Sequence, residues 1–162
     1  MNFNIEGLVL QVKLKNVKRR RLPAGIVRDW KLMESIEEII LPNGLKLNIF
    51  DLSREIAANT VKVEIAFKTD VDLKESFFPN KTDYQQVKNI FGDKLAYEYK
   101  MERAYVRKEQ CDAVREALIA TFKNNSLHYL GTENFAEKLA LSMLRDIKNN
   151  PYKYRSKEDN ET

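Results

Sequence analysis

Lys18, Arg19, Arg20 and Arg21 form a basic run, followed past Pro23 and Gly25 by Arg28. A guanidinium fork matches two phosphate oxygens at once, and clustered Lys and Arg bind polyanions with steep salt dependence. The segment is thus a candidate anion-binding loop for nucleic acid or a (cyclic) nucleotide. The reading set against it, and preferred to it, is a solvated loop, or a patch for the acidic face of a protein partner or a second copy. No aromatic interleaves with the run, as base stacking would require.

A second set is polar and sits where strands end. The row Leu45, Leu47, Ile49 continues at Asp51 and Ser53, and the row Leu95, Tyr97, Tyr99, Met101 continues at Arg103. If the two strands are close, Asp51 pairs with Arg103 at the rim of the core, because a half-buried carboxylate needs a partner. Arg54 and Glu102 belong to the same set. The cluster is either a small polar site or an ion pair that closes one end of a sheet. Cys111 falls on an apolar helical stripe and reads as a buried structural thiol. His128, in Leu127-His128-Tyr129-Leu130, reads as a connection residue packed between helices. No residue is assigned a catalytic role. No metal-ligand spacing, Gly-rich phosphate loop or cofactor motif is present in the sequence.

Asp51-Leu52-Ser53 after a strand, with arginines upstream, resembles the cyclic-dinucleotide-binding PilZ domain. The resemblance implies that Arg20 and Arg21 grip a nucleotide while Asp51 and Ser53 complete the site. The chain lacks that family's spaced arginine pair and has Ile56 where the family has glycine. The stretches Pro42–Arg54 and Glu102-Arg103 also resemble small bacterial proteins of no assigned activity, which brings no functional residue.

These residues must be held by a scaffold, and the rest of the sequence describes one. Leu8, Leu10, Val12 and Leu14 alternate with Val9, Gln11, Lys13 and Lys15, the period of a half-buried strand. Trp30–Leu41 is expected as a strand because Asn43-Gly44 follows and Leu45, Leu47 and Ile49 alternate beyond it, a hairpin with both turn residues at positive φ. Thr60–Asp72 places Val61, Val63, Ile65, Phe67 and Val71 on one face and Lys62, Glu64, Lys68, Asp70 and Asp72 on the other. Lys94–Val106 alternates likewise, so the polar face of the sheet is expected to be largely wet. A short helix is expected from Thr82, with Gln85 completing its capping box, to Gly92. Two more follow: Lys108–Asn124, with Cys111, Val114, Leu118 and Phe122 as its stripe, and one from Asn134, with Phe135, Leu139, Met143 and Ile147. Asn149-Asn150-Pro151 ends the last. Residues 151–162 read as a disordered polar tail.

The expected fold is α+β: a mainly antiparallel sheet of about five strands, two C-terminal helices on one face and a short helix between strands. A single domain spans 1–150. The 162 residues carry 28 Lys+Arg against 24 Asp+Glu, with one His and one Cys. This excludes a disulfide scaffold and any site needing two histidines. Net charge is +6 over residues 1–31 and −2 over the remainder, so the basic character is local. No apolar run is long enough to span a membrane. With one thiol and no export signal, the cytoplasm is the expected location. The leading expectation is a non-enzymatic binding or protein-interaction module, with self-association as one form and no membrane or cofactor. Nucleic-acid or nucleotide binding at the basic segment is one alternative; an enzyme with a polar site at Asp51 and Arg103 is the other.

Overall fold

The computed structural model describes residues 33–155. The strand expected at Leu8–Lys15 and the basic residues Lys18, Arg19, Arg20, Arg21 and Arg28 lie outside the described residues. Among the described residues there are five strands: β1 (Glu37–Ile40), β2 (Lys46–Asp51), β3 (Arg54–Ala57), β4 (Thr60–Asp72) and β5 (Lys94–Arg107). Three α-helices accompany them among the described residues: α1 (Lys81–Phe91), α2 (Cys111–Leu130) and α3 (Phe135–Asn149). The fold is the expected α+β one, with α1 between β4 and β5 and two helices at the C-terminal side.

All strand pairs are antiparallel. β4 is the spine. β5 pairs along its whole length, from Thr60↔Arg107 to Asp72↔Lys94. Along the other edge, β2 takes Ile65–Lys68 and β3 takes Thr60–Lys62, so β2 and β3 are one strand broken at Leu52-Ser53. β1 lies outside β2. The period-2 runs of β4 and β5 put Val63, Ile65, Phe67, Val71, Leu95 and Tyr97 into the core, each at most 1% exposed. Branched and aromatic side chains suit that pleated, half-buried surface.

The helices cover this face through the stripes seen in the sequence. Phe122 of α2 stacks on Phe67 and on Tyr99. Phe135, at the start of α3, meets Tyr97 and Tyr129 edge-on. Phe135, Leu139, Met143 and Ile147 are all buried. α2 runs six residues beyond the expected Asn124, so His128 sits exposed in its last turn rather than packed between helices. α1 is capped by Asn80 rather than Thr82: the Asp83 N–H donates to Asn80 Oδ1 at 2.9 Å, and Asn80 Nδ2 donates back to Asp83 Oδ2 at 3.0 Å. Acidic Asp83 is the better reciprocal partner at a positive helix end.

The β1–β2 hairpin forms where Asn43-Gly44 indicated, with a different turn. Only Gly44 has positive φ, at 85°. The Gly44 N–H donates to Leu41 O at 2.9 Å and the Leu41 N–H to Leu45 O at 2.8 Å, which makes a three-residue loop. Asn43 Nδ2 is thereby free to reach the C-terminal carbonyls of α2, donating to Leu130 O at 2.7 Å and Thr132 O at 2.9 Å. A helix end leaves such acceptors without intrahelical partners.

Two expectations are corrected at the sheet's second face and at the last helix. The second face is not wet at its centre: Phe50, Leu52 and Ala66 are buried there with Met33 packed against them, and Glu64 and Glu98 are buried beside them. Of the expected tail, residues 151–155 are described and fold back on α3. Pro151–Lys153 forms a 3-10 turn, and Tyr154 packs edge-on to Phe91 and bonds its hydroxyl to Asp146. Asp146 is only 3% exposed and also takes Asn150 Nδ2 at 2.8 Å and Lys153 Nζ at 3.1 Å. Those partners pull the chain back over the helix end.

Candidate functional site

Asp51 ends β2, and the break after it uses its side chain. Its Oδ1 accepts the Ser53 N–H at 2.9 Å, and its Oδ2 pairs with Arg115 Nη1 at 3.1 Å. Arg115 descends from α2, which covers the core face, and also binds Asp112. Ser53 Oγ accepts the Glu64 N–H at 3.2 Å, while the Leu52 N–H reaches Glu64 O at 2.8 Å. Asp51 and Ser53 thus satisfy the backbone where the strand is interrupted. The expected Asp51–Arg103 pair is replaced by Asp51–Arg115, because Arg103 stands opposite Val63 on the far side of β4. His128 belongs to no common site with Asp51: thirteen residues of α2 separate it from Arg115, or about 20 Å of helix rise.

Arg54 faces the second side of the sheet, where a charged cluster forms that the sequence rows did not indicate. Glu64, its side chain 7% exposed, lies 3.3 Å from Lys100 Nζ, 3.7 Å from Arg54 Nη1 and 3.8 Å from Lys62 Nζ. Lys62 continues to Glu102 at 2.7 Å and Lys100 to Glu98 at 3.8 Å. The signal was available in principle: Lys62, Glu64, Glu98, Lys100 and Glu102 all share the non-core parity of β4 and β5. Their register across the ladder could not be counted from sequence alone. The cations bring the buried carboxylate the counter-charge it needs.

Beyond this cluster the sheet ends in an exposed tip made by β3, the β3–β4 turn and the end of β5. Both ladders are irregular there. One slips between Glu55 and Ala57, the other between Val61 and Val63, where Ala104 and Tyr105 together oppose Lys62. Asn59 closes the turn at φ 55°. Tyr105 sits at φ 57° and is 83% exposed. Ile56, about 10 Å away across β4, is 41% exposed. Glu55 and Lys108 pair at 2.8 Å, and this bond holds the Glu55 carboxyl below its ordinary value and lifts Lys108 above its own. Arg103 and Arg107 flank Tyr105, are exposed, and form no ion pair among the described residues. Cys111, half-buried just beyond, donates its thiol to Arg107 O at 3.5 Å.

A bulge re-aims a side chain, and a bulky residue in the left-handed region costs of order 1–3 kcal/mol. Holding a tyrosine there in water gains no burial in return. Among the described residues no group of three or more His, Cys, Asp or Glu could hold a metal ion, and no helix is long and apolar enough to cross a membrane. No family model, curated protein or solved structure matches this chain.

Proposed function

We propose that the protein is a non-enzymatic protein-interaction module that docks an acidic segment of a partner through the tip of its sheet. The observation that carries this reading is Tyr105, kept at positive φ and 83% exposed between two guanidiniums that have no ion pair among the described residues. Tyr and Arg are the side chains that most often dominate binding energy at interfaces. With Glu55 paired to Lys108 and Glu102 to Lys62, Arg103 and Arg107 bring two cations to the tip against the single carboxylate of Glu109. An enzymatic site at Asp51 has no such support, since both carboxylate oxygens are engaged.

A photo-crosslinking residue at position 105 tests this, with Tyr152, exposed on the far side of the fold, as control. Position 105 is expected to label a protein that position 152 does not. The purified partner should bind the intact chain, and Tyr105→Ala should weaken it by about tenfold or more, or ~1.4 kcal/mol. Identical labelling from both positions would overturn the reading. Tyr105→Gly should lose the partner yet stabilise the fold by about 1 kcal/mol through relief of backbone strain.

A second reading, binding of single-stranded nucleic acid, draws on the same arginine–tyrosine–arginine order, because an aromatic platform between cations suits stacked bases and phosphates. Titration with labelled DNA and RNA at two salt concentrations decides it, and no binding at low salt removes it.

A further inference from the structure

The described residues cover the sheet's two faces unequally. The helices take the core face, where their stripes meet β4 and β5. Over the second face the described residues place one apolar side chain, Met33. Yet Phe50 there is 5% exposed, Leu52 8%, Ala66 0%, Glu64 5% and Glu98 9%. One methionine and the stems of neighbouring lysines do not hide a phenyl ring and two carboxylates from water. The rim of the same face is exposed at Ile40, Lys46, Asp70 and Asp72. Phe50 stands beside Ala66 and Ala66 beside Lys100, with Glu98 beside Lys68 in the next row. The hidden patch therefore crosses β2, β4 and β5, about 10 Å from the first strand to the third.

Such a patch has room for one element of chain rather than for the broad face of a second copy. The chain itself leads into it. Met33 is seated on Phe50, Leu52 and Ala66, so the residues before it leave from the patch. A tether this short holds them there at a local concentration of about millimolar. Those residues have an apolar row to bury, Leu8, Leu10, Val12 and Leu14. Their charge suits the site as well. Residues 1–31 carry +6 and the remainder of the chain −2, and buried carboxylates such as Glu64 and Glu98 favour cations nearby.

We propose that the segment 1–32 of this chain docks on the second face of the sheet as its intramolecular cover. The sheet becomes the middle of three layers, with the helices on one side and this segment on the other. The proposal stands independently of the reading of the tip.

A photo-crosslinking residue at Asn48, half-buried on the second face opposite Lys68, tests the proposal in the intact chain. Asn124 is the control on the helix side, exposed on α2 next to the Lys123 that bridges Glu37 of β1. Digestion and mass spectrometry should join position 48 to peptides from residues 1–28 of the same chain, at a yield that position 124 does not match. Phe50→Ser should lower that yield severalfold and keep the helix content, because Phe50 belongs to the cluster on the second face and not to the main core. If Phe50→Ser does not fold, Met33→Ser, at a half-buried position, should give the same loss. Equal labelling of residues 1–28 from both positions, links only between two chains, no link upstream of Arg28, or a yield unmoved by these variants would overturn the proposal.

Discussion

Thr69 and Tyr97 stand in register across β4 and β5, and neither hydroxyl has a hydrogen-bond partner among the described residues. Both residues are at most 1% exposed. A buried donor without a partner costs about 1–3 kcal/mol of desolvation. Tyr97→Phe and Thr69→Val keep shape and delete the unpaired group, so each should stabilise the fold by about 1 kcal/mol, read as a higher urea midpoint. A lower midpoint would show that the hydroxyl carries a bond after all. Single residues were the least legible level of the sequence. The row ending at Asp51 was read correctly, since Asp51 does stand beside Ile65 on the core face. Its partner Arg115 comes from a helix docked on the sheet, and no spacing along the chain encodes that docking. The tyrosines of 95–105 read as sheet-face packing, which Tyr105 is not, because alternation counts faces and a bulge is the place where the count slips.

Elements were more legible, because each is written in a local period. β4, β5 and the stripes of α2 and α3 follow from alternation and from three-to-four spacing, and Asn43-Gly44 marked the hairpin. β3 was missed: Arg54–Ala57 is four exposed residues with no alternation, and it exists because β4 offers an edge. The hairpin also illustrates how one turn residue ties two elements. Asn43 holds the end of α2, and Gly131, just past that end, has room for no more than hydrogen: a Cβ there would come within 2.8 Å of Pro42 Cδ. Asn43→Ala should cost about 1–2 kcal/mol, since two carbonyls lose their donor and the Leu45 N–H loses Asn43 Oδ1. Hydrogen exchange should quicken at the last turn of α2 and in the β1–β2 loop together. Exchange that quickened in the loop alone would mean the tie is dispensable.

Over the whole molecule, three tyrosines are built to stay protonated. Burial raises the phenol pKa of Tyr97 and Tyr129, and burial together with the Asp146 bond raises that of Tyr154. In the unfolded chain each titrates near 10.0. A folded value above the unfolded one gives stability that is whole below pH 10 and is lost as pH climbs beyond it. Urea midpoints should therefore be insensitive to these groups from neutral pH to about pH 9 and fall steeply above about pH 10, with a shallower fall in Tyr97→Phe. An unchanged slope in that variant would remove Tyr97 from the account. The overall architecture was foreseen, yet the sheet's second face was not, because a strand with a polar side gives no sign that lysines and an arginine will gather around one glutamate. The reach of Asn43 has a further consequence, in time. Its acceptors on α2 and beyond lie 87 and 89 residues later in the chain. At roughly 5–20 residues per second of synthesis, the hairpin leaves the ribosome some seconds before the helix it fastens has been made. The β1–β2 loop is therefore a clasp that stays open until α2 has been made, and chaperones that hold nascent chains meet it open.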